Sequence, residues 1–444
     1  MNSLFRIPVK VLIENRKLYI GDGYRAKNSE LSDNGIPFAR AGNLNNGFNF
    51  NVTDYFPIDM LKKVGNKRSK IGDVVFTSKG TVGRLGFVTY RTHEFVYSPQ
   101  LCFWRSLDHK TIYPRYLLYW MNSRFFLDQV NVVSGSTDMA PYVNLGDQRK
   151  MKIDLPPLPI QHAVASILSS YDELIENNNQ RIKLLEEMAE EIYKEWFVRM
   201  RFPAYENTKF FNEEGKEVKQ VTIGALPEGW EKKSVDNFSS FRMSNAKLKK
   251  FNGEKTYLAT ADISGIDISG KGEIIDWENK PSRAQLVPEL NSVFFARMSN
   301  TYKILVFCDT NKELINELAL TSGFLGFKAK NEYVLPFLFW FIKSPNFHNY
   351  KDVYANGATQ VSLTNEGLHM IKLVEPNMTI IEEFGKITLP FLNEILLLNK
   401  KNQLLQQTRD LLLPRLISGK LSVEHLVEEE LLKAAEQGDE NKNK

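Results

Sequence analysis

The chain is written twice, with the second copy beginning about 220 residues after the first. Phe38-Ala39-Arg40-Ala41-Gly42-Asn43 returns as Tyr257-Leu258-Ala259-Thr260-Ala261-Asp262, and Gly72-Asp73-Val74-Val75-Phe76 returns as Asn291-Ser292-Val293-Phe294-Phe295. The register then holds through Tyr113 to Trp120, matched by Tyr333 to Trp340, and through Gly135-Ser136-Thr137, matched by Gly357-Ala358-Thr359. A period this long is a whole domain rather than a solenoid repeat. Each copy closes with a long charged helical segment, so the unit is one globular domain plus one helix. A length of 444 residues allows two such domains, each with its own core.

Within each copy β-like runs precede a helical one. Val74 to Thr77, Leu85 to Thr89 and Gln100 to Trp104 read as strands between Gly/Asn/Ser turns, and Tyr113 to Gln129 reads as a helix. Ser292 to Arg297, Ile304 to Cys308, Gly323 to Phe327 and the helical Tyr333 to Ile342 repeat the order. Strands followed by a helix indicate an α+β class rather than a parallel βαβ sheet.

The charged segments carry heptads. Val164, Leu168, Tyr171, Ile175, Asn178, Ile182, Leu185, Ala189, Ile192 and Trp196 alternate at intervals of four and three, with Asn178 as a polar seam position of the kind that fixes register. Phe384, Phe391, Ile395, Leu398, Asn402, Leu405 and Leu412 form a comparable stripe, again with an asparagine. Two matched seams in one chain predict an intramolecular antiparallel coiled coil; the simpler alternative is an amphipathic face within a larger core. The proline-rich Leu155 to Pro159 ends the first domain. Ser170-Tyr171-Asp172-Glu173 reads as a capping box and Pro390 as a first-turn proline, placing helix starts near 170 and 390, with Pro414 ending the second near Leu413. Helices of roughly 24 to 30 residues would be about 36 to 45 Å long, close to one turn of B-DNA at roughly 34 to 36 Å.

Residues 1–155 hold 22 Lys and Arg against 13 Asp and Glu, whereas residues 227–378 hold 18 against 17. The first half is thus basic enough to favour a polyanion, and the second is not. Two different domains at a fixed separation suit a ligand with two half-sites, such as double-stranded DNA. Cys102 and Cys308 sit in apolar runs and read as buried free thiols of a reducing cytoplasm. No His or Cys pairing has metal-ligand spacing, the first residues lack an export signal's long apolar core, and Tyr333 to Ile342 is too short to span a bilayer.

Leu155-Pro156-Pro157-Leu158-Pro159-Ile160-Gln161, Ile182-Lys183-Leu184-Leu185-Glu186 and Lys194-Glu195-Trp196-Phe197-Val198-Arg199 together resemble the central conserved region of type I restriction-modification specificity subunits. Leu226-Pro227-Glu228-Gly229-Trp230 looks like the entry to that family's second target recognition domain, and Leu412 to Lys420 like its distal conserved end. The first domain departs from the pattern, having Val9 to Tyr19 in place of a Pro-x-Gly-Trp entry.

The resemblance implies two homologous target recognition domains separated by two long antiparallel helices, a pseudo-twofold repeat. On this sequence the parts are residues 1–158, a central helical region 159–203, a linker 204–225, residues 226–378, a distal helical region 379–419 and a charged tail 420–444. It implies a non-catalytic reader of bipartite double-stranded DNA, with two methyltransferase subunits and two translocase-endonuclease subunits as partners. S-adenosylmethionine, ATP and Mg would act on those partners, with no cofactor bound by this chain. Consistently, Asp154-Leu155-Pro156-Pro157-Leu158 is not the Asn/Asp-Pro-Pro-Tyr/Phe loop that an adenine methyltransferase uses to hold a flipped base, and no Gly-x-x-x-x-Gly-Lys-Ser/Thr loop is present. The competing reading is a coiled-coil adaptor with two protein-binding modules, suggested by the near-neutral second domain and acidic helices.

DNA readout needs donors and acceptors on loops projecting from a rigid body. In the first domain Arg40, Asn43, Lys79, Thr81, Arg84, Ser136 and Thr137 are candidates, with Lys67 and Arg68 in the basic run from Lys62 to Lys70 suited to phosphates. In the second they are Arg297, Ser299, Asn300, Lys303, Thr359 and Gln360, with Lys249 and Lys250 for the backbone. Gly80, Gly83, Gly135 and Gly357 serve equally as turn glycines, and Arg40 and Arg84 as intradomain pairs.

Overall fold

Val74–Thr77 and Leu101–Ser106 are buried along their whole length, as expected of short apolar runs that lie inside a sheet. In the computed structural model they are the inner strands of a four-stranded antiparallel sheet ordered Leu18–Asp22, Leu101–Ser106, Val74–Thr77, Leu85–Phe87. The structure describes residues 6–134, 142–357 and 361–428, apart from Asn46, Val221 and Asn245. The chain forms two units, Met1–Ile175 with Leu404–Lys444, and Glu176–Gln403. The domain division expected from the sequence kept the helical regions apart, whereas here each long helix is divided between the units.

The second unit repeats the sheet as Phe241–Met243, Phe324–Ala329, Ser292–Ala296, Ile304–Phe307, in the same order and sense. Both units add one parallel pair, Ile36–Ala39 with Val96–Tyr97 and Lys255–Leu258 with Leu318–Thr321. Both also pair an early strand with the last, Arg6–Pro8 with Lys152–Asp154 and Glu231–Ser234 with Lys372–Glu375. The α+β class and the internal repeat are therefore features of the backbone as well as of the sequence.

The helix expected from Tyr113 to Gln129 is two, Pro114–Met121 and Arg124–Ser134. Ser123 breaks it: its hydroxyl and its N–H both donate to the Trp120 carbonyl, at 2.6 and 3.1 Å, a local bond that competes with helix continuation. The chain turns and Phe126 packs edge-on to Trp104 at 5.6 Å. The second copy breaks likewise at Ser344, which caps Pro345–Val353 by accepting the Phe347 N–H at 3.2 Å.

The long helices run Leu158–Tyr193, continued by a π turn at Lys194–Val198, and Met378–Ile417. They start about 12 residues earlier than the capping signals indicated. The true starts are Pro157, whose carbonyl accepts the Ile160 and Gln161 N–H groups, and Asn377, whose side chain accepts the Thr379 N–H at 2.8 Å. Ser170 lies inside the helix with its hydroxyl on the Ile167 carbonyl. Pro390 and Pro414 are also interior, each at a cost of about 3 kcal/mol or more that burial of the seam must offset; the helix stops at Gly419, φ +68°.

In the second unit the helices run antiparallel. Asn178 donates to Asn402 at 2.8 Å, Asn402 donates to Asn179 at 2.8 Å, and Arg181 meets Glu394 at 2.6 Å. In the first unit Arg409 meets Asp172 at 2.5 Å.

The segment after the first helix is ordered where a plain linker was expected; of the charged tail, residues 420–428 are described and the rest lies outside the described residues. Residues 204–225 contribute two strands of a three-stranded sheet with Leu226–Pro227. Phe202 and Tyr205 join the second unit's core, as Val423 and Leu426, about 220 residues later, join the first's.

Candidate nucleic-acid interface

In the first unit the turn between Val74–Thr77 and Leu85–Phe87 is tied to two other segments. Its Ser78 N–H donates to the Gln100 carbonyl at 2.9 Å and its Ser78 carbonyl accepts the Val143 N–H at 3.0 Å, while Lys79 forms a backbone bridge with Tyr142. The Gln100 side chain accepts the Ala41 N–H at 3.0 Å, and Arg84 donates to Asn45 at 2.5 Å. The turn after Ile36–Ala39, the hairpin turn and the segment following residue 141 therefore share one face. Beside it opens a cleft of about 950 Å³ lined by Asn45, Phe48, Asn49, Asn51, His93 and Glu94, among others.

The second unit builds the same face. Met298 bridges Ser362, the Ser299 N–H donates to the Val361 carbonyl at 3.0 Å, and Lys303 donates to the Thr260 carbonyl at 2.6 Å. Gly80 and Asn300, 220 positions apart, both take left-handed φ, +80° and +54°. The repeated sequence thus encodes a three-segment platform in each copy, with a hairpin turn at its centre.

The individual candidates fall into groups. Lys79, Thr81, Arg84, Arg297, Ser299 and Asn300 lie on the hairpin turns, where Lys79 and Thr81 are exposed and the Lys79 side chain has no partner among the described residues. Arg297 is half-buried. It reaches Asn365 at 3.2 Å, its Nε has no partner, and burial pushes its pKa down, opposed by Glu366. Lys303 belongs to the same turn, but its ammonium is committed to Thr260.

Arg40 is exposed at the first turn and pairs with Asp54. Asn43 is buried and fully engaged, accepting the Arg40 N–H at 2.8 Å and donating to the Asn49 and Val52 carbonyls. Asp262 accepts the Ala259 N–H in the same way at 2.8 Å. What the repeat retains there is an acceptor oxygen that closes a turn, so Asn43 is corrected from a base reader to a turn cap.

The basic run is less free than its composition suggests. Lys67 binds Asp22 and the Gly23 carbonyl, Arg68 pairs with Glu94, and Lys63 pairs with Glu30. Lys249 and Lys250 are exposed in a segment that bridges to Leu286 through Lys247, and no described contact joins them to the turn. Ser136, Thr137, Thr359 and Gln360 lie outside the described residues. Among the described residues there is no metal-binding cluster of His, Cys, Asp and Glu, and no helix long and apolar enough to cross a membrane.

Gln100, Asn365, Lys351 and Asp352 support these turns and carried no sequence signal, because each acts through a partner distant in the chain. Gln161, inside a motif quoted above, is likewise structural: its amide accepts the Tyr113 N–H at 2.8 Å and donates to the Thr111 and Pro156 carbonyls.

Residues 19–187 match the family described as type I restriction modification DNA specificity domain. The type I restriction enzyme MjaIX specificity subunit of Methanocaldococcus jannaschii is 25% identical over 324 residues, covering 70% of this chain and 70% of that protein. The HindI specificity subunit of Haemophilus influenzae is 22% identical over 408 residues, covering 80% and 88%. The crystal structure of a type I restriction-modification S subunit from M. genitalium shares the fold, with a TM-score of 0.54 at 13% identity over 94% of this chain and 97% of that one. In sequence and in fold, the chain is thus similar to type I restriction-modification specificity subunits.

Proposed function

We propose that this chain is a type I restriction-modification specificity subunit, each unit of which reads one half of a bipartite double-stranded DNA target through its three-segment platform. The observation that carries the reading is the repetition of that platform, with the hairpin turn bridged to the same neighbouring segments in both copies. In the first unit Lys79, Thr81 and Arg84 present donors beside Arg40, and in the second Arg297, Ser299 and Asn300 do so. Arg suits guanine edges, Asn suits adenine, and Lys, Ser and Thr suit phosphates. The long helices set the spacing between half-sites and dock two methyltransferase subunits, with two translocase-endonuclease subunits completing the assembly. S-adenosylmethionine, ATP and Mg act on those partners, and this chain contributes recognition without catalysis.

The test is to co-express the chain with its methyltransferase subunit and map N6-methyladenine across the host genome. A bipartite motif that disappears when this chain is omitted supports the reading. No new methylation from a stable, cofactor-binding complex refutes it. Steep loss of DNA affinity with salt separates the reading from a protein adaptor, because phosphate contacts release counterions.

A further inference from the structure

Lys351 is wholly buried. It lies in the helix Pro345–Val353, and its ammonium group points into the back of the second unit's hairpin turn. It donates to the carbonyls of Met298 at 2.8 Å and Thr301 at 3.1 Å, and it pairs with Asp352 at 3.1 Å. The same Asp352 oxygen accepts the N–H of Asn300, the residue in the left-handed conformation, at 3.0 Å. Nζ also lies 5.9 Å from the centre of the Tyr302 ring, and His348, one turn earlier, packs on that ring at 4.4 Å.

A buried ammonium is costly unless its donors are satisfied, and here two of three go to backbone carbonyls of a single four-residue turn. Burial pushes the Lys351 pKa down, with Asp352 opposing it. The turn is thus moulded around a cation delivered by a different element. The first unit fixes its own turn otherwise: the Thr77 hydroxyl donates to the Thr81 carbonyl at 2.5 Å and accepts the Arg84 N–H at 3.0 Å, and Gly80 and Gly83 supply left-handed positions. In the register set by Ser123 and Ser344, the position of Lys351 is taken in the first unit by Val130, which is buried but uncharged.

We infer that Lys351, with Asp352, is a positioning residue for sequence discrimination by the second unit. It sets the conformation of the turn that displays Arg297, Met298, Asn300 and Tyr302, and so governs which base pairs the second half-site accepts without touching DNA. Met298 and Tyr302 are 40% and 56% exposed, so the braced turn presents side chains outward while its carbonyls face the buried cation. The inference rests on the reading of each unit as a half-site reader and identifies which element controls one of them.

The test uses the full chain in its methyltransferase complex, with the mapped target and duplexes bearing one substituted base pair in either half-site. The wild type should discriminate against each by roughly five- to hundredfold. Lys351→Met should lose most of that discrimination, falling to within about twofold, at the half-site read by the second unit and keep it at the other. The slope of log affinity against log salt should stay unchanged, because a buried lysine neutralises no phosphate. Asp352→Ala should act in the same direction. Retained discrimination in both variants, equal loss at both half-sites, or a salt slope lower by about one would each overturn the inference. A wild type that discriminates at neither half-site would refute the DNA-reading proposal itself, and this inference with it.

Discussion

Asp73 is the residue whose neutral replacement should damage the first unit most. It is fully buried and accepts from Arg105 Nε at 2.6 Å, Arg105 Nη2 at 2.7 Å, the Tyr97 hydroxyl at 2.6 Å and the Lys70 N–H at 2.8 Å. Arg105 is 7% exposed, lies 4.9 Å from the centre of the Phe103 ring, and passes its remaining contact to the Arg68 carbonyl at 2.8 Å. Asp73→Asn keeps the shape but leaves a buried guanidinium without its counter-charge, a change expected to cost about 3 to 5 kcal/mol. Tyr97→Phe removes one hydrogen bond and leaves one carboxylate oxygen with other donors, so it should cost only about 1 to 2 kcal/mol. Urea denaturation followed by the fluorescence of the buried Trp104 and Trp120 reads both. A cost below about 1 kcal/mol, or equal costs for the two variants, would refute the claim that charge compensation rather than hydrogen-bond number holds this corner.

Three further outcomes are expected. Asn402→Leu leaves the Asn178 amide buried without its acceptor and should lower stability by about 1 to 3 kcal/mol, whereas the double replacement Asn178→Leu and Asn402→Leu should recover most of it; thermal denaturation of the three proteins checks this. Gly385→Ala would put a Cβ 1.7 Å from the Tyr333 carbonyl oxygen, so a change that normally favours a helix by about 1 kcal/mol should instead destabilise by about 1 to 3 kcal/mol. His348 has its pKa lowered to about 4, chiefly by burial and then by Lys351. Unfolded chains therefore take up this proton below about pH 6.5 while the folded chain does not until about pH 4, so its contribution to stability falls as pH drops through that window, by up to about 3 kcal/mol. The stability difference between wild type and His348→Phe, measured at pH 7.5 and 4.5, should shrink or reverse accordingly, and a pH-independent difference would refute it.

Much of the candidate interface was legible because the repeat itself marks it. Lys79 and Arg84 on one turn, and Arg297 and Asn300 on the other, were identifiable as small polar loops recurring between apolar strands. Asn43 shows the limit of that logic. A recurring polar residue beside an arginine has the same signature whether its amide points to a base or closes its own turn, and only the packing of Asn49 and Val52 distinguishes them. The basic run illustrates the same point for charge: Lys67 and Arg68 are spent on Asp22 and Glu94, which lie far away in sequence.

The sequence by itself determined the duplication, the α+β order within each copy and the paired heptad seams with their asparagines, because these depend on periodicities local to the chain. It misplaced the helix starts, since Ser170 and Pro390 are good local start signals that burial of a continuous seam overrides. Only the tertiary structure decided which polar groups are left to face a ligand. A side chain's availability depends on what the fold brings against it, as Lys351 shows: an ordinary lysine in a short helix becomes, once buried, the brace of a turn some fifty residues away.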